Sequence, residues 1–196
     1  MDIEAPPESP TLDRVEKPKS IRELCAVDLT EIQPLILNLP ERLWDIEDAR
    51  KENQFPCFHH TRHIVFRFIE GNRDPRVFYS HPIWSVWQSK LEPMFDAIVK
   101  PYGFTRPVYP KVMLARLAAG AVIDRHVDGA GSNLCTHKIH VPVKTNPGAI
   151  FESNDLQHHL AEGFAYEANN IAPHGVRNDG DEDRIHLIFE VFEGDA

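Results

Sequence analysis

The sequence predicts a mainly β domain of the α+β class, a β-sandwich or barrel with N-terminal helices packed on one face. The chain has 196 residues, of which 42% are hydrophobic and 26% are charged, which is typical of one soluble globular domain. After residue 110, short runs of β-branched and aromatic residues alternate with glycine, asparagine and proline, as in folds built from many short strands. Before it, two segments place apolar residues at helical spacing.

The N-terminal part of the chain contains the first boundary. Residues 1–20 carry four prolines among charged residues and lack apolar periodicity, which predicts a flexible N-terminal arm. Residues 21–196 show no repeat and no internal boundary, so we expect a single domain there. An apolar run over residues 21–29 predicts a strand, and the helical spacing that follows predicts a helix ending at Pro40.

The elements that follow are a strand, a helix and a series of strands. The segment HIVFRFI, from His63 to Ile69, predicts a strand. Residues 83–100 carry one apolar helical stripe, and we expect Pro93 to kink or shorten this helix. The later strands are expected in KVMLARLA, AVIDRHVD, KIHVPV, AIFES, GFAYEA and DRIHLIFEVF.

Charge and cysteine content restrict the partners and the compartment. The formal net charge is −9, which repels a phosphate backbone and therefore excludes nucleic acid as an expected partner. The same balance favours a neutral or basic substrate. Three scattered cysteines without a CxxC spacing favour a reducing compartment. With no apolar stretch near ~20 residues and no signal peptide, we expect a cytoplasmic protein without a membrane span.

The first candidate site is Arg125-His126-Val127-Asp128-Gly129. On a strand, residues i and i+2 share a face, so His126 and Asp128 can reach one point in space. A third nitrogen ligand from elsewhere would complete a set of two histidines and one carboxylate, which suits non-haem Fe(II). The alternative explanation is a surface turn or a hydrogen-bonded loop histidine.

The last strand carries a second candidate set. One face is wholly apolar and the other is polar: Ile185, Leu187, Phe189 and Val191 share the first, and Arg184, His186 and Glu190 share the second. The Arg184 guanidinium offers two parallel donors to a carboxylate, which a lysine cannot match. A solvated surface strand is the alternative.

Two further segments supply basic and imidazole side chains. His174 lies in Pro173-His174-Gly175, ten positions before Arg184. Lys138 and His140 share a strand face in KIHVPV. Lys138 and His140 would support the pocket in which Arg184 binds an anion, or they would be solvated.

In chain order, these motifs resemble the aspartyl/asparaginyl β-hydroxylase family of Fe(II)/2-oxoglutarate-dependent oxygenases. The order is HxD, KIHVPV, PHGVRN and DRIHLIFEV, and the resemblance is strongest from Val112 to Val191. It implies a double-stranded β-helix, the jelly-roll core of cupins. It also implies a hydroxylase that uses Fe(II), 2-oxoglutarate and O2 on an unactivated carbon of an amino acid or of an Asp/Asn-type residue in a peptide.

The resemblance implies roles for individual residues. The iron ligands would be His126, Asp128 and His174. Arg184 would pair with the remote carboxylate of 2-oxoglutarate, and the further cofactor-binding residues would be Lys138, His140 and His186. Lys138 stands where the family commonly has an arginine.

Two alternatives stay open on the sequence. A metal-binding cupin could be an isomerase, a hydrolase or a non-catalytic small-molecule-binding module, because a fold does not fix a function. Arg184 favours the oxygenase, since other cupins need no dicarboxylate clamp there. Trp44, Trp84 and Trp87 either line a substrate groove or belong to the core. The sequence makes no prediction of oligomeric state.

Overall fold

Two antiparallel β-sheets face each other, and helices cover the outer face of the larger one. The computed structural model describes residues 12–52, 54–129 and 131–195. Within these ranges the helices are α1 (Gln33–Leu37), α2 (Glu41–Asp48) and α3 (Trp84–Val99). The strands there are β1 (Ile21–Ala26), β2 (Thr61–Ile69), β3 (Phe78–Ser80), β4 (Pro107–Leu117), β5 (Val122–His126), β6 (His137–Lys144), β7 (Ala149–Ser153), β8 (Leu156–His158), β9 (Phe164–Ala168), β10 (His174–Asn178) and β11 (Arg184–Glu193).

The strand order separates a large sheet from a small one. The large sheet runs β1-β9-β6-β11-β4-β2-β3 and the small sheet runs β5-β10-β7-β8. All the pairings within the described residues are antiparallel. The last strand, β11, lies in the centre of the large sheet between β4 and β6. The strands predicted from sequence are confirmed, whereas β3, β8 and β10 were not predicted.

The main core lies between the large sheet and the helices. The apolar face of β11 packs there against α3, with the ring centroids of Phe95 and Phe189 4.0 Å apart. The prediction that helices cover one face is therefore confirmed. Three tryptophans are buried in the same core, namely Trp44, Trp84 and Trp87. The alternative that they line a substrate groove is wrong, because this core lies on the side of the sheet away from the site described below.

Helix α3 passes through Pro93 without ending, so the expected shortening is wrong. Leu91 and Phe95 are fully buried on either side of the proline and hold the helix against the sheet. Pro93 itself and Ser89 are exposed. The carbonyl of Ser89, which loses its helical hydrogen bond to the proline, can therefore be hydrated.

The segment before β1 lies against the domain over its described part. The Val15 amide donates to the Leu134 carbonyl at 3.0 Å, and the Asn169 side-chain amide donates to the Pro18 carbonyl at 2.9 Å. Residues 1–11 lie outside the described residues, so the flexible arm over residues 1–20 stays a prediction. None of the helices in the described ranges has the length and apolarity needed to span a lipid bilayer.

Candidate functional site

Three predicted metal-ligating side chains meet at one end of the small sheet. His126 ends β5 and His174 begins β10, and the pairing of these strands places the two residues opposite each other. Asp128 follows β5, and its Oδ1 lies 3.5 Å from Nε2 of His126 and 4.0 Å from Nε2 of His174. Each residue offers a ligand atom within 4.8 Å of the others. Strand pairing thus brings together residues that are almost 50 positions apart in the sequence.

Both imidazoles have the tautomer that a metal ligand requires. Nδ1 of His126 donates to the Asp124 carbonyl at 2.7 Å, and Nδ1 of His174 donates to the Ala172 carbonyl at 2.9 Å. Since a carbonyl only accepts, the proton of each neutral ring lies on Nδ1 and leaves the Nε2 lone pair free. Nε2 of His126 is buried and has no hydrogen-bond partner among the described residues. Burial lowers the pKa of His174 to about 4, which keeps that ring neutral.

Asp128 is held by its other carboxylate oxygen. Oδ2 accepts from Lys138 Nζ at 2.5 Å and from the Asn170 amide nitrogen at 3.2 Å, which leaves Oδ1 towards the two histidines. Burial would raise the pKa of Asp128, but the Lys138 ammonium and the neighbouring histidines hold it well below its usual range. Asp128 is therefore an anion with one oxygen available.

Asn170 connects this carboxylate to the segment before β1. Its side chain is buried, with 1% of the residue exposed. Its Oδ1 accepts from Lys17 Nζ at 2.8 Å, and its main-chain carbonyl accepts from the Asp128 amide at 2.9 Å. Burial lowers the pKa of Lys17 to about 8. Asn170 thus fixes both the backbone and the side chain of Asp128.

Arg184 is a buried cation on the large sheet. It is 2% exposed, and the guanidinium donates to Nδ1 of His186 at 2.7 Å. Among the described residues it forms no ion pair with a carboxylate. Burial lowers the pKa of Arg184 to about 9 and holds the pKa of His186 well below its usual range. A buried guanidinium without a carboxylate partner is expected to bind an anionic ligand.

His140 lies next to His186, with their Nδ1 atoms 3.4 Å apart. Burial, followed by the charges of Lys138 and Arg184, holds the pKa of His140 well below its usual range. The two rings are therefore neutral. Lys138 lies on the same strand as His140 but contacts Asp128 and not Arg184.

A cavity of about 840 Å³ joins these groups. His126, Asp128, His174, Arg184, His140 and Lys138 all line it, whereas His186 lies behind Arg184. Apolar side chains of the small sheet complete the part near Arg184, including Ile123, Phe151 and Val176. The ring of Phe151 stacks on His174 with centroids 5.8 Å apart, and Phe58 contacts His126 edge-on at 5.2 Å. The volume lies within the range usual for small-molecule sites.

Several of these contacts were not predicted from the sequence. Asn170 lies in a loop between β9 and β10 with no pattern around it, so no sequence signal identifies it. Lys111 does carry a signal, because it is a charged residue in the apolar run KVMLARLA. It forms a buried ion pair with Glu190, with Nζ 2.9 Å from Oε1.

Sequence and structure comparisons assign the chain to a family. The family model described as aspartyl/asparaginyl beta-hydroxylase matches residues 86–193, which is more than half of the chain. The chain belongs to the aspartyl/asparaginyl β-hydroxylase family. As a member of this hydroxylase family the protein is an oxygenase, with Fe(II), 2-oxoglutarate and O2 as its cofactor and cosubstrates. No curated protein sequence gives a significant match to it.

Solved structures share the fold of this β-hydroxylase family member at low sequence identity. An oxidoreductase of the 2OG-Fe(II) oxygenase family from Burkholderia pseudomallei has a TM-score of 0.52 and 14% identity, covering 76% of this chain and 75% of that one. The viral collagen prolyl hydroxylase of Paramecium Bursaria Chlorella virus-1, in its 2OG complex, has a TM-score of 0.51 and 12% identity, covering 90% and 97%. HygX from Streptomyces hygroscopicus, with nickel, 2-oxoglutarate and hygromycin B bound, has a TM-score of 0.51 and 13% identity, covering 89% and 83%. The predicted jelly-roll fold is confirmed.

Proposed function

We propose that this β-hydroxylase family member hydroxylates an unactivated carbon of an amino acid, either free or as an Asp/Asn-type residue in a peptide. His126, Asp128 and His174 would hold Fe(II), and Arg184 would bind the remote carboxylate of 2-oxoglutarate. The observation that carries the proposal is the position of Arg184. It is a buried guanidinium without a carboxylate partner among the described residues, and it lines the same cavity as the three ligand candidates.

The donor set fits Fe(II). Two imidazoles and one carboxylate leave positions open for a cosubstrate and O2. When bound, the iron with 2-oxoglutarate and O2 supplies the oxidising power that hydroxylation of a C–H bond requires.

The protein's own residues orient and protect the reacting groups. The Nδ1 bonds of His126 and His174 fix the ring orientations, and Lys138 with Asn170 keeps Oδ1 of Asp128 directed towards them. A neutral His174 and an ionised Asp128 are the protonation states of these two groups that bind a metal.

The Arg184 end of the cavity suits a linear dicarboxylate. Two N–H groups of one guanidinium can donate in parallel to both oxygens of a carboxylate. His186 accepts from Arg184 and thereby fixes the plane of the guanidinium. The apolar walls formed by Ile123 and Val176 exclude water and strengthen this ion pair.

The test combines metal binding with turnover. Under anaerobic conditions the wild type with Fe(II) and 2-oxoglutarate should develop a weak visible charge-transfer band, and in air it should release succinate. His174→Ala should lose both signals. His60→Ala, which changes an exposed histidine outside the cavity, is the matched control. Wild-type succinate release by His174→Ala would contradict the ligand assignment. A zinc-dependent or non-catalytic cupin would give no band with any variant.

A further inference from the structure

We propose that the end of the cavity opposite Arg184 binds a carboxylate group of the substrate, through Lys111 and Arg73. This inference rests on the proposed function and names the substrate class of the same site. The substrate would be an acid rather than the corresponding amide.

The strand register places this subsite at the far end of the cavity. On β4 and β11, Leu117 pairs with Arg184 and Lys111 pairs with Glu190. Six residues of strand separate the two levels, which is about 20 Å at ~3.3 Å per residue. Both Lys111 and Arg184 line the one cavity. A cosubstrate held by Arg184 therefore leaves the Lys111 end for another molecule.

The metal-ligand candidates extend from the Lys111 end towards Arg184. His174 stacks on Phe151, which also contacts His140. His140 pairs with Ile188, which lies between Arg184 and Glu190 on β11. Lys138 pairs with Glu190 across β6 and β11, and Lys138 contacts Asp128. The Asp128 carboxylate is thus close to the level of Lys111 along the sheet. A molecule bound at the Lys111 end would present its carbon atoms to the metal position.

Lys111 has hydrogen-bond donors available for a ligand. Its residue is 6% exposed, and its ammonium contacts Oε1 of Glu190 at 2.9 Å and lies over the Phe68 ring at 5.2 Å from the centroid. An ammonium has three donors, of which Glu190 uses one. The other oxygen of Glu190 accepts from the Thr136 hydroxyl at 2.9 Å. Glu190 therefore positions the Lys111 ammonium without using all of its hydrogen-bond donors.

The charge of the cavity wall differs from that of the whole chain. In the part of the chain that the structure describes, the wall includes four cations, Arg73, Lys111, Lys138 and Arg184, and one carboxylate, Asp128. Even when Glu190 beneath Lys111 is counted, cations exceed carboxylates by four to two. Fe(II) and the 2-oxoglutarate dianion cancel each other, so the excess of positive charge persists in the loaded enzyme. The net charge of −9, which favours a neutral or basic substrate, is therefore a poor guide to this cavity.

The remaining wall of this subsite is apolar and closed by a contact between two loops. Phe68, Met113 and Ile188 belong to one buried cluster and line the cavity. Gly131 touches the turn that carries Arg73, because a Cβ at this position would lie 2.5 Å from the Asn72 carbonyl oxygen. The geometry suits a molecule with an apolar body whose carboxylate lies between Lys111 and the Arg73 guanidinium.

The experiment compares acids with their amides. Free L-amino acids, their primary amides, and blocked peptides containing internal Asp or Asn are added to the enzyme loaded with Fe(II) and 2-oxoglutarate. Succinate release is measured in air, and binding is measured by anaerobic calorimetry. A charge-assisted hydrogen bond predicts that acids bind about 10- to 150-fold more tightly than amides. Preference among free acids identifies an α-carboxylate as the ligand, and preference for Asp peptides identifies a side-chain carboxylate.

The variants are chosen so that folding does not decide the result. Arg73→Gln changes an exposed side chain, and the double variant Lys111→Met/Glu190→Gln removes both buried charges together. Each should reduce the preference for acid over amide about tenfold or more. Arg42→Gln, an exposed arginine on α2 outside the cavity, should keep the preference.

The outcomes separate the two proposals. Equal binding of acids and amides by an enzyme that forms the anaerobic Fe(II)/2-oxoglutarate band would overturn the carboxylate subsite and leave the proposed function intact. Wild-type preference in both cavity variants would also overturn the subsite. Absence of the band in the wild type would overturn the proposed function, and the subsite with it.

Discussion

Arg184→Met should make the metal-free protein more stable while weakening 2-oxoglutarate binding strongly. Burial lowers the pKa of Arg184 to about 9, and at ~1.4 kcal/mol per pH unit this corresponds to roughly 5 kcal/mol lost by the charged form in the folded state. His186 is its hydrogen-bond partner, and no described carboxylate compensates the charge. A methionine fits an apolar surrounding, so we expect the free energy of unfolding to rise by about 1–4 kcal/mol.

The pH dependence of this penalty sets the conditions of the assay. Because the folded pKa is lower than the unfolded one, the unfolded chain binds the proton more tightly. The penalty is complete below pH about 9 and disappears as the pH rises towards the unfolded value. Urea denaturation at neutral pH therefore measures the whole effect.

Binding should respond in the opposite direction. Two charge-assisted hydrogen bonds of about 1.5–3 kcal/mol each are lost, so the Kd for 2-oxoglutarate should increase about 10²- to 10⁴-fold. Anaerobic calorimetry of the Fe(II)-loaded protein measures this Kd. Arg184→Lys is the control, because it keeps the charge without the two parallel donors. A methionine variant that is less stable than the wild type and binds 2-oxoglutarate normally would refute the reasoning.

Three further predictions concern stability. Gly131→Ala should lower the free energy of unfolding by about 1–3 kcal/mol, since its φ is +89° and the added methyl meets the Asn72 carbonyl oxygen at 2.5 Å. Gly129→Ala, whose added methyl would meet none of the described atoms within 4 Å, should match the wild type in thermal denaturation. Burial keeps the pKa values of His140 and His186 well below normal. The free energy of unfolding should therefore fall as the pH drops below about 6.5, by up to ~1.4 kcal/mol per pH unit for each ring. The same pH dependence in the double variant His140→Gln/His186→Gln would contradict this. Phe189→Ala should cost about 3–5 kcal/mol in urea denaturation, and a loss under ~1 kcal/mol would contradict its place in the core.

Local patterns were sufficient to predict much of the large sheet and its helices. Alternation along β11 separates the apolar set that packs on α3 from the polar set that contains Arg184, and both sets lie where the pattern places them. The apolar stripe of α3 is likewise buried. These predictions succeed because a period of two or of 3.6 residues determines which side chains share a face.

The rest depends on which strands pair, and in which register. β10 is five residues long and begins with His174 and a glycine, so it carries no alternation that a sequence pattern could identify. Lys138 was expected to support the anion pocket, a role that stays a prediction. Its contact with Asp128 arises from a loop folding back over β6, which no local pattern describes. The Lys111–Glu190 pair likewise requires the register of β4 and β11.

The contact between Lys17 and Asn170 has a practical consequence for shortened versions of this protein. An ammonium can only donate, so it forces the oxygen of the Asn170 amide to one side and the NH₂ group towards Asp128. A truncation that starts at β1 would remove this control and leave the orientation of the amide to one hydrogen bond, which Asn170 Nδ2 donates to Asn133 Oδ1 at 2.8 Å. A flipped amide would turn an oxygen lone pair against the carboxylate. The effect of deletions and N-terminal tags should therefore be measured as iron affinity as well as yield, although they lie far in sequence from the candidate metal ligands.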